Sequence, residues 1–184
     1  SVEKPGEHAK VLTTAAMVPP LLETNTTGKS LSDLLATGEI DAILGSRRPE
    51  SLDKSENVTR LLPNYRLIER KFYERTGIHP IMHVIAIRRK IFEKHPWIAS
   101  SLFQAFEASK NWALERLKIS ASQHTMLPFM YADLEEMENL FGSDPWPYGI
   151  NANRPTLEAL VQHLQEQDFI PEVVPIEDLF IAIH

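Results

Sequence analysis

His79 and His83 are the side chains in this sequence best suited by type to move a proton near neutral pH. They stand four residues apart inside Thr76-Gly77-Ile78-His79-Pro80-Ile81-Met82-His83-Val84-Ile85-Ala86-Ile87-Arg88-Arg89. On a helix that spacing would put them one turn apart, close enough to share a zinc ion. On a strand they would share a face but lie about 13 Å apart, at roughly 3.3 Å per residue. The composition favours the strand: Ile81, Val84, Ile85 and Ile87 prefer extended backbone, and Pro80 pushes His79 out of the helical region. The pair is therefore expected to line two parts of one cleft rather than hold one metal. The ordinary alternative for either histidine alone is a satisfied core residue.

Three other groups carry chemistry. Gly45-Ser46-Arg47-Arg48 follows the apolar run Glu39–Leu44, read as a strand. Ligands of open α/β sheets bind beyond the carboxyl ends of strands, and arginine grips a carboxylate by a two-pronged contact. The alternative is a solvated basic turn. Trp146-Pro147-Tyr148-Gly149 sets two aromatics on a proline-stiffened loop, a suitable surface for an aromatic ligand. The alternative there is a loop fastened to the core by Trp146. Arg88-Arg89 could bind an anion or simply open the next helix in solvent.

The elements that must hold these residues follow from local signals. Ser30 caps a short helix, Leu31 to Ala36, with Asp33 near its positive end and Gly38 as its stop. Val11 to Val18 is a weak strand candidate, and Gly45 to Asn57 reads as a polar loop. Tyr65 to Arg75 is helical up to Gly77, and His79–Ile87 is the strand discussed above. A short helix covers Arg89 to Lys94, and Pro96 opens a long amphipathic helix to about Lys118. Its apolar set includes Trp97, Ile98, Leu102, Phe103, Phe106, Trp112, Ala113 and Leu117. A further helix runs from Leu134 to Phe141, and Asn153 caps another, with Pro155 in its first turn, to about Gln167. A short strand near Val173 and a last turn, Ile176 to Phe180, complete the chain. Strands joined by helices make an α/β pattern.

With 184 residues, 43% of them hydrophobic, the chain can bury a core as one domain or two small lobes. The net charge of −6 argues against nucleic acid or an anionic membrane as the main partner. The absence of cysteine removes disulfides, a thiolate nucleophile and Cys-based zinc sites. No apolar run approaches the roughly 20 residues needed to span a bilayer. Gly-rich phosphate loops, Gly-x-Ser-x-Gly and His-Glu-x-x-His are all missing.

Several segments together resemble a known family. Leu34–Leu44 with Gly45, Asn64-Tyr65-Arg66, Thr76 to His83, His95-Pro96-Trp97, Trp146 to Gly149 and Asn151 to Leu160 occur in that order. The pattern is similar to the C-terminal half or more of the 4,5-dihydroxyphthalate decarboxylase family, and Glu3-Lys4-Pro5-Gly6 resembles its glutamate–proline–glycine loop. The resemblance implies a type 2 periplasmic-binding-protein-like α/β fold of two lobes, with the N-terminal part of the first lobe absent from this chain. Residues 1–75 would then be part of the second lobe, and 76–184 a hinge strand and helical part returning to the first.

The implied activity is that of a carboxy-lyase. It would remove carbon dioxide without oxidation from an aromatic dihydroxy-dicarboxylic acid held between the lobes. His79 or His83 would donate the proton, Arg47 or Arg48 would clamp the spare carboxylate, and Tyr148 with Trp146 would orient the ring. No metal ligands and no cofactor are evident, and a divalent metal stays an open alternative. The implied partner is a small aromatic acid, with a homo-oligomer compatible, and the implied compartment is the cytoplasm. The alternative is a non-catalytic solute-binding protein of a transporter, which would place it in the periplasm.

Overall fold

The computed structural model describes residues 24–119, 125–181 and 183. The strand candidate Val11 to Val18 and the Glu3–Gly6 loop lie outside them. Among the described residues eight helices form: α1 (Leu31–Thr37), α2 (Ser51–Lys54), α3 (Tyr65–Thr76), α4 (Arg89–Lys94), α5 (Trp97–Lys118), α6 (Met130–Phe141), α7 (Ile150–Glu166) and α8 (Ile176–Leu179). The chain divides into two compact units, residues 1–68 and 69–184.

The expected α/β two-lobed fold, with its sheets, is not what the described residues form. Among the described residues there is no strand. Glu39–Leu44, His79–Ile87 and the Val173 region are all non-helical, but none is part of a ladder. The reason is that β propensity measures fit to a pleated, half-buried surface, and a strand without a neighbour has neither ladder bonds nor that surface. Ile81, Met82, Val84 and Ile85 accordingly stand exposed rather than buried.

In the first unit, α1 begins as the sequence predicts. The Ser30 side chain accepts from the Asp33 N–H, and the Asp33 carboxylate accepts from the Ser30 backbone, a reciprocal cap. Gly38 ends the helix with φ 76°, a backbone state costly for residues with a Cβ. Part of the segment expected as polar loop is instead α2, a single turn. It is tied to α1 through buried Ser51, whose N–H donates to Ser32 Oγ at 2.9 Å while Ser32 Oγ donates to Ser51 Oγ at 3.0 Å. Leu34 is the buried apolar residue of α1.

In the second unit, α4 spans Arg89–Lys94, the range read from the sequence, and α5 runs from Trp97 to Lys118 with Pro96 before it. Of the predicted apolar stripe, Trp97, Phe106 and Trp112 stay exposed, and the buried residue of α5 is Ala99. The firm core lies at the C-terminal end. Leu157 and Val161 of α7 meet Ile176 of α8, with Ile150, Ile170, Val174 and Phe180 packed around them. Arg154 of α7 reinforces the pair from the surface, donating to Glu158 at 3.3 Å and to Glu177 at 2.5 Å. The start of α7 departs from the prediction: it opens at Ile150, so Pro155 lies inside the helix and Asn153 is not its cap.

Two outcomes follow from this packing. Ile176→Ala should destabilise the second unit by about 2–3 kcal/mol, toward the lower end for core truncations because the surrounding cluster is small. Arg154→Ala should lower the melting temperature far less, since exposed ion pairs contribute little; thermal melts of both variants check the order. Asp33 is held below the ordinary carboxylate range by hydrogen bonds from Ser30, Glu177 by Arg154, and Glu39 by Lys29 and Thr37. Lowered folded pKa values make these groups stabilising above the unfolded value. That stability should therefore be lost as pH falls below about 4, visible as a declining melting temperature in acid.

Candidate functional site

The residues singled out by the sequence fall into two groups. Arg47 and Arg48 belong to the first unit, where they line a pocket of about 310 Å³ together with Ile43, Gly45, Ser46, Pro49, Leu52 and Arg60. The strand expected to lead into this turn is not there, but the small residues and the arginines do frame a concavity. Arg48 is ion-paired with Asp53 of α2. The sequence reading missed Arg60, because the intervening turn of helix hides that the chain doubles back.

His79, Trp146 and Tyr148 belong to the second unit. The backbone of His79 is gripped from both sides by one hydroxyl: its N–H donates to Thr156 Oγ1 at 3.1 Å, and Thr156 Oγ1 donates to its carbonyl at 3.1 Å. Its ring lies edge-on to three aromatics, with centroids 5.1 Å from Phe141, 5.2 Å from Trp146 and 6.3 Å from Tyr73. Tyr73 and Phe141 themselves pack at 4.5 Å. The imidazole is half-buried in this setting. His83, by contrast, is exposed and further along the same non-helical segment. The structure thus brings His79 and Trp146 together.

What holds the aromatic loop is a lysine that the sequence reading passed over. Lys110 of α5 has a side chain only 7% exposed. Its ammonium donates to Asp144 Oδ2 at 2.7 Å, Glu107 Oε1 at 2.9 Å and the Trp146 carbonyl at 3.0 Å. It also lies 4.3 Å from the centre of the Tyr148 ring, a cation–π contact. Burial alone would push Lys110 down, but hydrogen bonds to Asp144 and Glu107, and their charges, hold it above the ordinary lysine range. The other oxygen of Asp144 accepts the Trp146 N–H at 3.0 Å.

Asn153 fastens the far end of the loop, donating to the carbonyls of Pro147 at 2.6 Å and Gly149 at 2.9 Å. Gly149 supplies the positive φ of 89° that turns the chain into α7. The loop is therefore fixed through its backbone, and Trp146 does not act as its anchor. Trp146 is 49% exposed and Tyr148 41% exposed, so both rings keep a free face. The signal that could have revealed this was Lys110 itself, a charge on the apolar side of an amphipathic helix.

No three His, Asp or Glu side chains among the described residues converge as a metal site. No described helix is long and apolar enough to cross a membrane. Lys110→Met should leave Asp144 and Glu107 without their partner and free the loop. The expected loss is about 1–3 kcal/mol, with a shift in Trp146 fluorescence checked against Trp146→Phe. Because its raised pKa keeps Lys110 charged through the ordinary lysine range, the loop contacts should be lost only as the pH rises above about 10, read as a falling melting temperature.

No protein-family model matches the chain. A comparison with characterised proteins finds 4,5-dihydroxyphthalate decarboxylase of Comamonas testosteroni, 38% identical over 127 residues. The matched stretch covers 68% of this chain and 38% of the relative, so the chain spans well under half the length of the protein it resembles. At family level, this chain is a homologue of 4,5-dihydroxyphthalate decarboxylase, in agreement with the ordered motifs of its sequence.

Proposed function

We propose that the protein takes part in the non-oxidative decarboxylation of an aromatic dihydroxy-dicarboxylic acid of the 4,5-dihydroxyphthalate type. The observation that carries this reading is the 38% identity to a protein of that name. The side chains supply the right chemical types. An arginine-lined pocket suits a carboxylate. A fixed imidazole beside free aromatic faces suits an aromatic ring whose carbon must be protonated.

In the proposed reaction, the ring carbon that bears the carboxylate accepts a proton. The carbon–carboxyl bond then breaks, its electron pair returns to the ring, and carbon dioxide leaves. No electrons enter or depart, so no oxidant or reductant is required. His79 is the proposed donor and is recharged from solvent, with His83 the competing candidate. In the second unit Tyr148 and Trp146 set the plane of the ring; in the first, Arg47 or Arg48 is the candidate contact for a carboxylate. Restricting the ring to one orientation removes rotational freedom that the uncatalysed acid must lose on its way to the transition state.

The test is carbon dioxide release from 4,5-dihydroxyphthalate by the full natural chain, with and without a chelator. Release is expected, and the chelator arm reports on a metal. His79→Ala should lower the rate by about a hundredfold or more while binding and the circular dichroism spectrum persist. Unchanged turnover in His79→Ala with loss in His83→Ala would move the donor role to His83. A protein that is stabilised by aromatic acids but releases no carbon dioxide would instead be a binder of these acids.

A further inference from the structure

Helix α7 reaches both parts of the candidate site in the second unit. Asn153 and Thr156 stand three residues apart on it, a spacing that puts them on one face. Asn153 holds the aromatic loop by the carbonyls of Pro147 and Gly149. Thr156 holds His79 by its N–H and its carbonyl, each at 3.1 Å. A hydroxyl can do both because it donates one hydrogen bond while accepting another. Thr76 Oγ1 steadies the preceding residue, accepting the Ile78 N–H at 3.1 Å while it donates to the Phe72 carbonyl at 2.7 Å. Past His79 this support stops: among the described residues, no backbone N–H from Ile81 to Ile87 is hydrogen-bonded to the protein. The contact between the His79 and Trp146 rings, 5.2 Å between centroids, thus joins two segments that α7 grips separately.

We propose that Thr156 is a positioning residue for proton transfer: its hydroxyl, in register with Asn153 on α7, sets the imidazole of His79 against the aromatic loop. The inference rests on His79 as the donor proposed above. Thr156 hydrogen-bonds the backbone of His79, so it acts through the imidazole and not on the reacting atoms. Proton delivery to a ring carbon depends steeply on placement, and an error of about 1 Å can cost a hundredfold in rate. A packing role and a hydrogen-bonding role predict opposite orders of substitution. Valine keeps the shape of threonine and loses the hydroxyl, which leaves the N–H and carbonyl of His79 without their partner. Serine keeps the hydroxyl and loses the methyl group.

The test compares the full natural chain with Thr156→Val, Thr156→Ala and Thr156→Ser, using His79→Gln to assign the imidazole signals. Nuclear Overhauser effects between the rings of His79 and Trp146 in the free protein read the positioning without any ligand. They should be present in the wild type and Thr156→Ser and lost in Thr156→Val and Thr156→Ala. Alanine favours the helix more than valine does, so Thr156→Ala keeps the comparison intact where valine weakens α7. With 4,5-dihydroxyphthalate, Thr156→Val and Thr156→Ala should lower kcat about tenfold or more at a KM within about twofold, and Thr156→Ser should stay within about threefold of the wild type. No ring contact in the wild type, unchanged contacts in Thr156→Val and Thr156→Ala, a serine variant as impaired as the valine one, or a raised KM at constant kcat would each overturn the proposal. Ring contacts that follow the hydroxyl, in a wild type that releases no carbon dioxide, would sink the decarboxylase reading and leave the positioning of the imidazole standing. Turnover indifferent to Thr156→Val would sink this inference alone.

Discussion

A buried ammonium organises the second unit. Lys110 is withdrawn from water, and a withdrawn charge must be met by partners of opposite sign or by dipoles. Its three acceptors come from two places: Glu107 is one turn away on α5, while Asp144 and the Trp146 carbonyl belong to the loop before α7. Satisfying the lysine therefore fixes the loop. Once Asp144 is in place, its second oxygen takes the Trp146 N–H, and Asn153 collects the carbonyls at the loop's other end. The backbone polar groups hold the loop, and the rings of Trp146 and Tyr148, in contact with His79 and Lys110, each stay partly exposed.

The histidine is held by a similar economy. One hydroxyl, Thr156 Oγ1, answers both the N–H and the carbonyl of His79, so a segment without regular structure is still fixed at that residue. Thr156 sits on α7 one residue before Leu157, part of the buried core with Val161 and Ile176. The imidazole's position thus depends on core packing through a single intermediary. Edge-on contacts with Phe141, Trp146 and Tyr73 then limit how the ring can turn.

Much of this was legible in the residues, and the failures have identifiable causes. Ser30, Asp33 and Gly38 defined α1 because caps and positive-φ glycines are local devices, decided within a few residues. The limits of α4 and α5 were equally local. Glu39–Leu44 and His79–Ile87 read as strands because their side chains favour that state, but a ladder needs a neighbour, and sequence pattern alone cannot supply one. Asn153 looked like a cap because its residue type and the nearby Pro155 imitate one; the structure instead uses its amide to bind the preceding loop. His79, Trp146 and Tyr148 were visible as unusual residues, whereas Lys110 and Thr156 were not, since their roles depend on contacts 34 and 77 residues away in sequence.

The central claim is that a fixed imidazole and a fixed aromatic loop face the same aromatic acid. Intermolecular nuclear Overhauser effects between the ring protons of bound 4,5-dihydroxyphthalate and those of His79 and Trp146 test it most directly. The account predicts cross-peaks to both rings, weakened when Lys110→Met releases the loop. Saturable binding of the acid with no cross-peak to either ring would contradict it.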